Sequence, residues 1–298
     1  MSVEQQLAWE RRMRPRAAAA ALGAGALTLA GGIYSGMTFA DVPRASVLSA
    51  LDRAAGGGDV GGLPSLRIPL YEWYSDHVAQ FVIAAAISAL GALAIGGALT
   101  FLAFATAARR EQFPRAGLYV PVVGAALLAV ALLLVALGTD ATVGSVLDGE
   151  RTVEAVGDLS ASSLLTAGQF IEVAARFTLG AAFLLVALNA MRAGLLTRFM
   201  GVLGVIGGVL LALPVFGGPL PVVQVFWLLA LGFILLDRLP RGLPPAWQTG
   251  TAQPWPSGAE LRAQRQGAAA EREAAGEARE AAARPSPATS RKKRKKRR

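Results

Sequence analysis

Six stretches of predominantly apolar residues divide this chain: Ala17–Ala40, Ala79–Ala107, Leu118–Gly138, Val173–Met191, Phe199–Phe216 and Pro221–Leu236. A helix rising 1.5 Å per residue needs about 20 apolar residues to cross a hydrocarbon layer of about 30 Å. Each stretch is therefore predicted to be a membrane-spanning helix, because lipid offers no partner for unpaired backbone groups. The second is long enough to tilt or to emerge from the bilayer. The sixth is short, with its ends placed in the interface. A transmembrane barrel is excluded, since its strands would alternate in polarity over about ten residues, and these runs are apolar on every face. The fold class expected is an all-α polytopic bundle of six transmembrane helices.

The polar gaps give the direction. Arg11, Arg12, Arg14 and Arg16 precede the first stretch. Arg109, Arg110 and Arg115 lie between the second and third, and Arg192 and Arg198 between the fourth and fifth. Arg238 and Arg241 follow the sixth. The alternate gaps are acidic: residues 41–78 hold five carboxylates and three arginines, and residues 139–172 hold six carboxylates and only Arg151. Positive residues flanking spans mark the cytoplasmic side. The expected organisation is a cytoplasmic N-terminus (1–16), a transmembrane domain (17–241) with outer loops at 41–78 and 139–172, and a cytoplasmic tail (242–298). The arginines then read as headgroup anchors, and the location expected is the inner (plasma) membrane. The first stretch, ending in Thr38-Phe39-Ala40, also has the outline of a cleaved signal peptide. It exceeds the usual hydrophobic region of about 7–15 residues, which favours a retained span.

In the first outer gap, Val47, Leu48 and Leu51 at helical spacing suggest a short surface helix, broken by Gly56-Gly57-Gly58 and Gly61-Gly62. Tyr71, Trp73 and Tyr74 read as an interfacial aromatic belt, with His77 as a polar cap. Asp148, Glu150, Glu154 and Asp158 read as a solvated acidic face. The tail opens on Pro244-Pro245-Ala246-Trp247 and Pro254-Trp255-Pro256, which read as extended proline-set turns. Ser257 and Glu260 form a capping box, and residues 258–284, rich in Ala, Glu and Arg, are predicted to be partly helical.

Composition sharpens the picture. Of 298 residues 54% are hydrophobic and 16% charged, against about 25% charged in a soluble domain. There is no cysteine, and His77 is the single histidine, so disulfides and thiolate or histidine metal sites are excluded within one chain. The bias to Ala, Gly and Arg fits a GC-rich bacterial genome. The formal charge is +9, and the last eight residues, Arg291, Lys292, Lys293, Arg294, Lys295, Lys296, Arg297 and Arg298, supply +8 of it. Each such charge contributes up to about 1 kcal/mol near an anionic leaflet. The tail is expected to bind anionic lipid headgroups or an acidic partner. Nucleic acid or ribosome contact is the alternative, without base stacking because no aromatics interleave.

Ionisable groups at membrane depth are functional candidates, and they are few. Glu172 and Arg176 form an i,i+4 pair that would serve as an interfacial clip or an anion site. Asn189 and Gln224 offer hydrogen bonds between helices. No Walker lysine, zinc helix or nucleophile elbow is present, so neither a catalytic site nor a cofactor is expected. Small residues at four-residue spacing, Gly32–Gly36, Ala92–Gly96 and Gly204–Gly208, favour close helix packing.

The run Asn189-Ala-Met-Arg192-Ala-Gly-Leu-Leu-Thr-Arg198-Phe-Met-Gly201-Val-Leu-Gly204, with the later Pro-Pro-Ala-Trp247 and Pro-Trp255-Pro-Ser257, resembles uncharacterised multi-pass membrane proteins of actinobacterial type. That family has no assigned activity and transfers no site. Two functions remain in view: an accessory or scaffolding membrane protein acting through its basic tail, or a small transporter or channel with Glu172, Arg176, Asn189 and Gln224 as its polar lining.

Overall fold

The computed structural model describes residues 2–44, 46–56, 61–158, 162–213, 221–238 and 242–254, and short pieces between 260 and 275. The chain divides into two compact units, Met1–Pro254 and Trp255–Arg298. The described pieces of the second unit are helical. Ser257, most of 258–284 and the whole of Arg291–Arg298 lie outside the described residues, so the capping box and the basic octapeptide carry no structural account.

The first unit is all-helical among the described residues. Its elements are α1 (Val3–Thr38), α2 (Val47–Ala55), α3 (Ile68–Asp76), α4 (Val78–Ala107), α5 (Val120–Asp148), α6 (Val153–Asp158), α7 (Ser163–Arg192), α8 (Arg198–Ala212), α9 (Val222–Leu235) and α10 (Ala246–Thr249). Four of them, α1, α4, α5 and α7, are long and apolar enough to cross a membrane. Their outer faces expose large apolar side chains such as Leu90, Leu93, Val130, Leu137, Phe170 and Phe177, the pattern of a protein solvated by lipid rather than water.

Each long helix outruns its apolar stretch. α1 begins at Val3, not at Ala17, because Ser2 caps it in a reciprocal box with Gln5. It continues through Pro15, which removes one rung but does not end the helix. The gap 139–172 is mostly helix rather than loop. α5 runs on to Asp148, and Thr139 and Thr142 bond back to the carbonyls of Val135 and Gly138. Ser162 caps α7 through Leu165 N–H and donates to the Gly138 carbonyl. The polar flanks extend the helices because each has its own cap or tertiary partner.

α8 and α9 depart the other way. They have 15 and 14 residues, about 22 and 21 Å long at 1.5 Å per residue, and fall short of a full crossing. The stretches Phe199–Phe216 and Pro221–Leu236 are therefore only partly helical in the described residues. α8 stops before Pro214, and Leu213 is already extended at φ −105° and ψ 96°, as a residue preceding proline must be.

The six principal helices close a ring in the order α1, α4, α5, α7, α8, α9, and back to α1, with α4 also touching α7 across it. Glycine sets the closest crossing. A Cβ on Gly124 would stand 2.8 Å from the Leu179 nitrogen, and one on Gly168 2.9 Å from that of Val135. A Cβ on Gly138 would collide with the Leu165 backbone. α5 and α7 thus meet backbone to backbone along their length, at positions that had not been singled out for it. Of the spacings that had been, Gly96 packs on Ala125 and Gly208 on the Gly180 carbonyl, while Gly36 faces open space. Gly138→Ala is expected to destabilise the bundle by about 1–3 kcal/mol through overpacking. Gly144→Ala, on the same helix with nothing within 4 Å, should leave thermal unfolding unchanged or raise it slightly.

Candidate functional site

The four membrane-depth candidates do not share one site. On α7, Arg176 Nε and Nη2 donate to Glu172 Oε1 at 2.8 and 2.5 Å, and both side chains are part-exposed. Asn189 Nδ2 bonds back to the Leu185 carbonyl of its own helix at 2.8 Å. Gln224 is buried on α9 and donates to the Gly207 carbonyl of α8 at 3.0 Å. The first two form a clip, and the other two are satisfied separately by backbone oxygens.

The strongest polar constellation lies elsewhere, where the start of α1, the end of α4, the α7–α8 turn and the segment 242–254 meet. Arg109 is not a headgroup anchor. Its guanidinium forms a two-pronged salt bridge with Glu10, Nη2 lying 2.8 Å from Oε2, and both side chains have zero exposure. The fork also donates to the carbonyls of Ala246 at 3.0 and 2.9 Å and of Ala105 at 2.9 Å. Gln6 Nε2 donates to Glu10 at 2.8 Å. Such saturation is what a buried ion pair needs to offset its desolvation.

Trp247 closes this cluster. The segment Pro244–Trp247 is a turn leading into a helix rather than extended: Pro245 takes the αR conformation that proline's fixed φ allows, and Ala246 and Trp247 open α10. The Trp247 ring is fully buried, stacks on Phe101 at 5.9 Å and 6°, and lies beneath the guanidinium carbons of Arg14 at 5.1 Å and Arg109 at 5.5 Å. Phe101 in turn stacks on Trp9. Trp247 Nε1 donates to the Leu195 carbonyl at 2.9 Å. That carbonyl is presented by the turn after α7, where Gly194 at φ +78° allows Leu195 N–H to bond Ala190 O, a Schellman closure. A side chain on Gly194 would collide with the Gln253 carbonyl, and Gln253 N–H donates to Ala193 O at 3.0 Å. Residues 246–254 are thereby fastened across one end of the bundle. Arg192 and Arg198, flanking the same turn, stay exposed.

At the opposite end the aromatics do not form a simple belt. Trp73 and Tyr74 pack against Phe39 and Phe81, and His77 stacks on Trp73 at 4.5 Å with Nδ1 2.8 Å from the Trp73 carbonyl, joining α3 to α4. Burial pushes the Tyr74 phenol above its ordinary pKa. Beneath this cluster lies a cavity of about 370 Å³ bordered by α1, α3, α4, α5 and α7, with Tyr74, Phe81, Ser88, Asp140 and Glu172 in its wall. Among the described residues no three His, Cys, Asp or Glu side chains gather to hold a metal.

Sequence reasoning missed Glu10, Arg109 and Trp247. The visible signal was a carboxylate, Glu10, directly preceding the N-terminal arginines, and a tryptophan following two prolines. No family model, curated protein or solved structure matches the chain.

Proposed function

We propose that the chain is a six-pass bacterial plasma-membrane protein with both termini cytoplasmic, and that it acts as an accessory or scaffolding protein, presenting its polybasic tail to anionic headgroups. The observation that carries this reading is the docking of residues 246–254 onto the bundle by Trp247, Ala246 and Gln253. Pro254, the last residue of this unit, is thereby held near Arg110 and Arg192. Support for the direction comes from the charge asymmetry of the gaps, and support for six passes from the closed ring that α8 and α9 complete. Glu172, Arg176, Asn189 and Gln224 already have separate partners within the chain, which favours a structural role over a conduit lined by them.

The full chain reconstituted in neutral nanodiscs should capture vesicles containing phosphatidylglycerol at low salt, and deleting Arg291–Arg298 should abolish capture. With eight charges at up to about 1 kcal/mol each, capture should also fall steeply towards 0.15 M salt (Debye length about 8 Å). Unchanged capture after the deletion would remove the tail from the function.

A further inference from the structure

The cavity beneath the aromatic cluster has an uneven wall. Most of it is aliphatic or aromatic, and its polar groups converge from four helices: Ser35 on α1, Ser88 on α4, Asp140 on α5 and Glu172 on α7. Gly31 keeps room beside Ser88, since a Cβ there would stand 2.9 Å from the Ser88 hydroxyl. Among the described residues, the Ser35 and Ser88 hydroxyls and the Asp140 carboxylate make no hydrogen bond or ion pair. Glu172 is neutralised by Arg176, but Asp140 has no counter-charge, and no lysine, arginine or histidine lines the cavity. The wall therefore carries one uncompensated negative charge, on the exposed Asp140, in the same cavity as the rings of Tyr74 and Phe81 and a largely apolar lining. Its volume lies within the range of small-molecule sites.

We propose that this cavity binds a single-chain amphiphile with a positively charged head, an amine or a quaternary ammonium. The head lies between Asp140 and the aromatic rings, where carboxylate attraction and cation–π contact act together. The Ser35 and Ser88 hydroxyls accept from an amine head, and the chain runs along the apolar wall. An anionic head meets the uncompensated Asp140 carboxylate there and is rejected, so selection rests on charge as well as on shape. This site is independent of the tail and of the reading given above.

The test uses the full chain in dodecyl maltoside with decyltrimethylammonium as probe, and decyl sulfate and 1-decanol as chain-matched controls. Binding is read by equilibrium dialysis against labelled probe and by thermal shift. The wild type should bind the cation saturably and resist displacement by decyl sulfate. Asp140→Asn should weaken the cation about ten-fold or more without altering the weak binding of decanol. Ala85→Leu, which narrows the cavity from α4, should weaken both. Equal binding of decyl sulfate by the wild type, a comparison that needs no variant, overturns the proposal. So does an Asp140→Asn protein that binds the cation as the wild type does.

Discussion

Arg109→Met is expected to lower stability by about 3–5 kcal/mol, the cost of stranding one member of a buried ion pair. The substitution leaves the Glu10 carboxylate at zero exposure with Gln6 as its remaining donor among the described residues. It also removes the two guanidinium donors from the Ala246 carbonyl, which keeps the Gly250 N–H at 3.2 Å, and one donor from the carbonyl of Ala105. Glu10→Met in the same chain should restore part of the loss, because a buried pair can be replaced by apolar groups at little cost. Recovery should be incomplete, since the Ala246 carbonyl is left with the Gly250 N–H and the Ala105 carbonyl loses its guanidinium donor, at about 0.5–1.5 kcal/mol per lost hydrogen bond. Thermal unfolding of the two single variants and the double variant in detergent gives the coupling directly. Strictly additive losses would show that the two side chains do not depend on one another.

Trp247→Ala should have an effect of similar size, about 3–5 kcal/mol, by a different route. It empties a fully buried volume, removes the stack on Phe101, and takes the indole N–H donor away from the Leu195 carbonyl. Trp247→Phe separates these terms. The ring and the faces offered to Arg14 and Arg109 largely remain, while the indole N–H is lost, so the cost should fall to about 1–3 kcal/mol. Limited trypsin digestion adds a local readout. With Trp247 truncated, cleavage after Arg110 should accelerate before global unfolding, because the segment that covers that end of the bundle is no longer held down.

Much of the helical framework was legible in hydropathy alone. Ala79–Ala107 is within one residue of α4, and the apolar centres of α1, α5 and α7 lie where the pattern puts them. The ends were not legible, because helices continue into polar sequence wherever a cap or a tertiary contact holds them, as Ser2 and Ser162 do. The early end of α8 was hidden for the converse reason, since Pro214 interrupts a run that a hydropathy average carries straight through, whereas the sixth stretch was read as short and α9 lies within one residue of it at each end. Among the candidate polar residues, the Glu172–Arg176 contact was readable because it is local, four residues apart on one helix. The Glu10–Arg109–Ala246 cluster was not, because its members are separated by 99 and 137 residues, and no periodicity links them. Charge counting then assigned Arg109 to the same anchoring role as its exposed neighbours.

Those separations also impose an order in time. At a synthesis rate of roughly 5–20 residues per second, Glu10 emerges several seconds before Arg109 exists, and the Ala246 carbonyl follows Arg109 by roughly 7–27 seconds. The ion pair therefore closes before its final acceptor arrives, and the segment carrying Trp247 arrives last of all. The bundle is sealed at that end only once residue 247 has been made, so any ribosome stalling before it leaves a protein whose closing stack is missing. Quality control that senses an exposed Phe101 face would distinguish the two.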